Sequence, residues 1–367
     1  MAYTTIDDPS AYFQTTLYTG NRSSSQTITN DGNSDLKPDW LWIKPRNDTV
    51  LHSHSLFDST RGVTKGLASN LNEAEYTTSS KVTSFNTDGF SIGNGASVNQ
   101  PDRDVNYVTW QWKANGGTTS SNTDGSITST VQANTTAGFS IVTYTGNGSD
   151  NSTIGHGLGK APAMIIIKGR SSVEDWMIYH KVLTAGSEII LNSTSAQADD
   201  TNNATWGDNH PSSVGSSTFA VGYAGDSNAN GTTYVAYCFA EIKGYSKFGK
   251  YTGNGTGTFG PFADGPFVYT GFKPAWVMIK RTNGANGWTI FDNKRDPHNI
   301  VGNQLSANST AAEEGDASHH SERDYLSNGF KLKGNGNDIN ANGGTYIYMA
   351  FAEHPFVSSK GVPVTAR

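Results

Sequence analysis

Apolar positions along this chain come in short runs of two kinds. One kind alternates, as in "SIVTYTGNG" at residues 140–148, where Ile141, Thr143 and Thr145 fall on one side and Val142 and Tyr144 on the other. A period of two predicts a strand with two different faces, and the closing "GNG" supplies the residues for which a turn with positive φ costs least. The other kind is unbroken, as in "MIII" at residues 164–167. An uninterrupted apolar strand is expected where both faces of a sheet are covered. Stretches rich in Ala, Glu, Lys and Leu at helical spacing are almost absent, so the pattern predicts an all-β protein.

These runs recur in a fixed order three times. The phrase "YTGNG" at residues 144–148 returns at 251–255, with "YTGN" at 18–21. Each is followed by a proline and a short apolar strand: "KPDWLWIK" (37–44), "KAPAMIIIK" (160–168) and "KPAWVMIK" (273–280). Proline at the start of a strand loses no ladder bond. The closing lysines, Lys44, Lys168 and Lys280, are expected to reach solvent, while Trp40, Trp42, Trp276 and Met278 are expected in the core. A third block follows, with Phe57, Tyr179 or Phe291 at its centre, then a fourth around Phe90, Phe219 or Phe330. Last comes a long strand: "NYVTWQW" (106–112), "TYVAYCFAE" (233–241) and "TYIYMAFAE" (345–353).

Five landmarks in one order predict three copies of one fold, because self-similarity at this scale marks repeated supersecondary units. The boundaries are 1–114 for the first copy, 115–136 for a linker or packed extended connection, 137–245 for the second, and 246–367 for the third with its C-terminal tail. The second and third copies abut directly, which predicts a fixed mutual orientation.

Composition sharpens this picture. Of 367 residues only 16% are charged, with net charge −6 and 41 glycines, and 11% are aromatic. Such a chain is poorly suited to phosphate contacts, which argues against nucleic acid as a partner. Cys238 is the only cysteine, so no intrachain disulfide is possible and maturation in a cytoplasm is expected. No signal-like segment and no run of about 18 apolar residues is visible, so no membrane insertion is expected.

Candidate chemistry is sparse. Asp58 and Asp292 recur in two copies, but His180 stands in the second; Glu241 and Glu353 correspond in position to Lys113 in the first. Duplicated structural acids are expected rather than the carboxylate pair of a glycosidase. Arg61 and Arg295, three residues after Asp58 and Asp292, are expected to form exposed ion pairs worth at most about 1 kcal/mol. The histidines of "HSH" at 52–54 and "HH" at 319–320 lack a second ligand cluster with zinc spacing. No GxSxG elbow is present, and no phosphate loop is expected where "GNG" precedes no helix. No cofactor, metal or catalytic residue is assigned.

Recognition is expected on the loops between the third and fourth blocks, residues 63–87, 182–217 and 297–328, since strands hold and loops contact. The second contains "TWGDNHP", where Trp206 could stack on a sugar while Asp208 and His210 hydrogen-bond it. The alternative is that Trp206 folds back over its own domain.

The phrases "DGSITSTVQANTTAGFSIVTYTGNGS", "IGHGLGKAPAMIIIKGR", "GTTYVAYCFAEIKGYSKFGKYTGNG", "GPFVYTGFKPAWVMIKR", "GGTYIYMAFAEHPF" and "GVPVTAR" resemble repeats of virion structural proteins, tail-fibre or capsid-surface, of marine bacteriophages. The resemblance implies three tandem β-sandwich repeats of the concanavalin-like jelly-roll kind. It implies a non-enzymatic, surface-exposed virion protein made in the host cytoplasm. Its partners would be other virion proteins of the tail or capsid, host surface polysaccharide, and further copies of itself, a trimer among the options. Alternatives are a capsid decoration or head-fibre protein without a receptor, and a polysaccharide depolymerase.

Overall fold

The computed structural model describes residues 3–208, 212–256, 264–315 and 321–365. Among these the regular structure is strand, apart from two short 3-10 turns and one helical turn, Gly225–Asn228. All the sheets are built from antiparallel pairs.

Three larger sheets carry the landmarks. In the first, Phe13–Thr19, Asn106–Trp112, Trp40–Pro45 and Ser55–Asp58 lie side by side in that order. The corresponding order in the second is Phe139–Thr145, Thr233–Phe239, Met164–Gly169 and Trp176–His180, and in the third Ser246–Thr252, Thr345–Pro355, Phe272–Arg281 and Trp288–Asp292. The last strand of each set is thus inserted between its first two. Residues 115–136 are no loose tether: Ser120–Asn122 and Ser129–Asn134 extend the second sheet beside Phe139–Thr145.

Each large sheet shares an apolar cluster with a smaller one. Leu41, Ile43 and Phe57 meet Ile28, Phe90 and Ile92; Ile165 and Ile167 meet Ile154, Phe219 and Val221; Val277, Ile279 and Phe291 meet Val268, Phe330 and Leu332. The unbroken apolar strands are explained by what covers their other face. Trp40 and Trp42, Met164 and Ile166, Trp276 and Met278 all point into one further cluster drawn from all three sheets. There Trp40 stacks on Tyr237 at 4.3 Å, Trp112 meets Trp276 edge-on at 5.7 Å, and Phe351 stacks on Phe13 at 5.0 Å. Aromatic rings of this size bury about 150–250 Å² each, so the shared cluster is a large part of the total hydrophobic stabilisation.

The repeated tyrosine phrase has one structural job, done three times. Tyr18 stacks on Tyr107, Tyr144 on Tyr234 and Tyr251 on Tyr346, at 4.9, 5.1 and 4.9 Å. The hydroxyls of Tyr18, Tyr144 and Tyr251 donate to the carbonyls of Val98, Ser227 and Ile339. The backbone N–H of Asn21, Asn147 and Asn254 donates to the side-chain oxygen of a buried asparagine, Asn99, Asn228 or Asn340. Glycine is required before Asn147 and Asn254: a Cβ on Gly146 or Gly253 would stand 2.4 Å from the carbonyl oxygen of Ala229 or Ala341.

Candidate functional site

The trio expected to recognise a ligand does not form a site. Trp206 is fully buried, in the second unit's own cluster, 5.9 Å from the Tyr179 ring. The turn that carries it is held by Asp200, whose carboxylate accepts from the N–H of Thr205 and of Trp206. That anchoring turns the indole inward, so it cannot stack on a sugar. Asp208 is exposed but accepts from the side-chain amides of Asn151 and Asn203 at 3.0 and 2.9 Å, which ties its loop to the turn before Ser152–Gly155. His210 lies outside the described residues.

Part of each loop expected to carry recognition joins two units. In each, one asparagine organises the turn: Asn70, Asn192 and Asn308 accept, through Oδ1, the N–H of His54, Trp176 and Trp288. The carbonyl two residues before it accepts a ring N–H from another unit. Trp176 donates to Ala68 at 2.9 Å, Trp288 to Ile190 at 2.8 Å, and His54, through Nε2, to Ser306 at 3.0 Å. The carbonyl two residues after it accepts a lysine Nζ from that same unit: Lys168 to Asn72 at 3.2 Å, Lys280 to Thr194 at 2.9 Å, Lys44 to Thr310 at 3.1 Å. The second unit therefore grips the first, the third grips the second, and the first grips the third, which closes a ring.

Lys44, Lys168 and Lys280 do not reach solvent as expected; all three are buried. An ammonium can be taken inward here because Nζ has three donors and finds carbonyl oxygens on both sides of a seam. Burial nevertheless pulls each down to about 8.

The Asp–Arg pairs are also buried rather than exposed. Both side chains of Asp58–Arg61 and of Asp292–Arg295 are fully covered. Arg61 continues to Glu75, and Glu75 to Arg170 of the second unit at 2.9 Å, while Tyr237 of that unit donates to Asp58 at 2.8 Å. Arg295 continues to Glu313, and Glu313 to Arg46 of the first unit at 2.7 Å, while Trp110 donates to Asp292 at 3.0 Å. Each chain of four charges sums to zero. Burial pushes the Glu75 carboxyl up, but the hydrogen bond from Arg170 and the charge of Arg61 outweigh it and hold it below the usual range.

A cleft of about 340 Å³ opens between the first and third units. Its lining includes Phe13, Gln14, Asp31, Lys294, Glu353 and His354. Its acids are engaged: Asp31 with Lys294 at 2.8 Å, Glu353 with Lys273 and with the Asn293 amide, Asp8 with the hydroxyls of Ser10 and Ser34. Elsewhere, burial and the neighbouring Asp226 carboxylate push the Glu174 carboxyl up. Cys238 is buried and its thiol is pushed up by burial. Among the described residues no three His, Cys, Asp or Glu side chains gather as a metal site, and no helix is long and apolar enough to cross a membrane.

The signal for the seams was present in part: a lysine closes each proline strand at the same position. The carbonyls it meets leave no mark in a sequence, because every residue has one.

No curated protein matches this chain, and no solved structure does. A family model described as a domain of unknown function, DUF7483, matches residues 8–355, a stretch that runs through all three sheets and all three seams. The chain belongs to that family.

Proposed function

We propose that this protein is a non-enzymatic structural component of a bacteriophage particle, exposed on its surface, built of three jelly-roll sandwich repeats closed into one rigid body, and that it contacts host surface glycans. The observation that carries the reading is the three-way closure. Ionic, lysine and ring N–H contacts at the seams spend the chain's sparse charge on internal rigidity, as a particle component needs. The engagement of the cleft's carboxylates supports a non-enzymatic role. The resemblance of its phrases to repeats of marine phage virion proteins supports the setting. Antibodies against the protein should label purified particles, and the protein should be retained on host cells but not on cells stripped of polysaccharide. Unlabelled particles together with equal retention on stripped cells would sink it.

One observation favours a second reading, capsid decoration without a receptor: each loop expected to carry recognition gives part of its length to a seam. Labelling confined to the head, with no retention on host cells, would select it.

A further inference from the structure

The geometry points to a saccharide platform on the outer face of the third unit, formed by Phe267 and Tyr269, with Tyr3 at its rim. It deepens the glycan-binding reading above and rests on it for the class of ligand. Strand Phe267–Tyr269 pairs with Gly329–Leu332 in the smaller sheet. Its middle residue, Val268, faces the core, so the flanking rings must face out, where 45% of Phe267 and 53% of Tyr269 is exposed. Phe267 lies over Gly329, where a Cβ would stand 2.2 Å from the Val268 carbonyl oxygen and 3.0 Å from the Phe267 ring, so strand pairing already requires glycine there and the ring lies close to the sheet. The Tyr269 hydroxyl stands 3.3 Å from that of Tyr3, which itself donates to the Gly271 carbonyl. Two aromatic rings on one strand face, with phenolic hydroxyls beside them, match a pyranose chain: apolar C–H faces to stack and hydroxyl groups to hydrogen-bond.

The other two units show that the fold does not need these rings. The core residue opposite the landmark phenylalanine is Val268 in the third unit, Ile28 in the first and Ile154 in the second. The flanking residues are Phe267 and Tyr269 in the third, but Thr27 and Thr29 in the first, and Thr153 and Gly155 in the second. Small residues satisfy the same position twice, so the aromatic pair is specific to the third unit and unrelated to sheet formation. The exposed area also selects the occupant. Two half-exposed rings, at about 150–250 Å² each when fully counted, offer on the order of 200 Å², well short of the roughly 800 Å² per partner of a stable protein interface. A segment of two or three sugar rings needs no more.

The test is the double variant Phe267→Thr with Tyr269→Thr, which installs the first unit's residues. Purified full-length protein is titrated calorimetrically with cellohexaose, mannohexaose and chitohexaose at up to millimolar concentration, and sedimentation velocity is run on both proteins. Expected is binding of at least one hexasaccharide, weakened at least about tenfold in the variant, with Tm within about 2 °C of the parent. The single variant Tyr3→Phe, which keeps the ring and removes one hydroxyl, should weaken binding less. Binding of none of the three sugars, or equal binding by the double variant, overturns the platform. So does self-association of the parent that the variant abolishes, which would make the patch an interface between copies. Particle labelling is independent of all these outcomes, so the virion reading and the platform can fail separately.

Discussion

The seam between the first and second units and the one between the third and first are closed by buried Asp–Arg ion-pair chains, whereas the seam between the second and third keeps its buried lysine but has no such chain. Where the former carry Asp58 and Arg61 or Asp292 and Arg295, the latter carries His180 and Leu183. Its counterpart of the Glu75–Arg170 backbone contact joins the N–H of Gln197 to the carbonyl of Thr282, with neutral side chains on both. The inserted strand has changed in step: three residues beyond the stacked tyrosine, Trp110 and Tyr237 donate to the aspartates, but Met349 has no proton to give. His180 instead directs Nε2 to the Tyr348 carbonyl, and burial lowers it to about 4, so it stays neutral. The difference teaches that a buried carboxylate, its arginine and its donor on the facing unit are kept or lost as a set. An incomplete set leaves a desolvated charge, whereas a complete apolar replacement costs little.

The largest expected effect comes from opening the ring. A fragment ending at Tyr245 would expose Trp112 and Phe239, which Trp276 and Phe351 otherwise help to cover. It should lose the sharp calorimetric transition expected of the whole chain. A fragment that melts cooperatively, with an enthalpy in proportion to its length, would show that the units are independent.

Next come single breaks in a charged set. Arg61→Leu leaves Asp58 and Glu75 buried with reduced compensation and should cost about 3–5 kcal/mol by urea unfolding. Adding Asp58→His, Tyr237→Met, Glu75→Gln and Arg170→Thr, which copies the second–third seam, should recover most of that loss. Failure of the fivefold variant to improve on Arg61→Leu would mean that the sets do not exchange. Trp206→Ala should cost a comparable 3–5 kcal/mol, roughly, as for other buried tryptophans.

The three seam lysines give a smaller, pH-dependent effect. Their folded value of about 8 lies below the unfolded 10.5, so between those limits the unfolded chain binds more protons and stability rises with pH. Below about 8 both states are charged and the slope vanishes. The carbonyl cages favour the ammonium, so the combined gain should be only roughly 1–3 kcal/mol across the window. Urea midpoints should rise from neutral pH toward pH 10, and the triple Lys→Met variant should flatten that rise; an equal slope in the variant would assign it to other groups. The smallest change is expected at Asp208, whose hydrogen bonds are exposed: Asp208→Ala should stay within about 0.5 kcal/mol.

Much of the strand pattern was legible because strands advertise burial locally. Trp40, Trp42, Trp276 and Met278 are buried as the proline strands predict, and the tyrosine-glycine phrase is an architectural device. Of the two readings of Trp206 the structure shows the one in which it folds back over its own domain; the sequence left the choice open because no periodic pattern surrounds it, and the Asp200 anchor that turns it inward is a local hydrogen-bonding arrangement. Arg61 and Arg295 were misjudged because a spacing of three fixes the pair but says nothing of what lies above it. The aromatic pair at Phe267 and Tyr269 was visible as letters, yet its outward direction depends on the pairing of Val268 with Phe330.

By itself, the sequence determined which segments become strands, where the glycine and asparagine turns fall, and that the same five landmarks recur three times, since these follow from side-chain period and backbone preference within a few residues. Only the tertiary structure decided what covers the second face of the proline strands, that three lysines lie buried against carbonyls, and that loops of unequal length and content meet in a ring. Those outcomes depend on contacts between residues far apart in the chain and on backbone groups common to every residue.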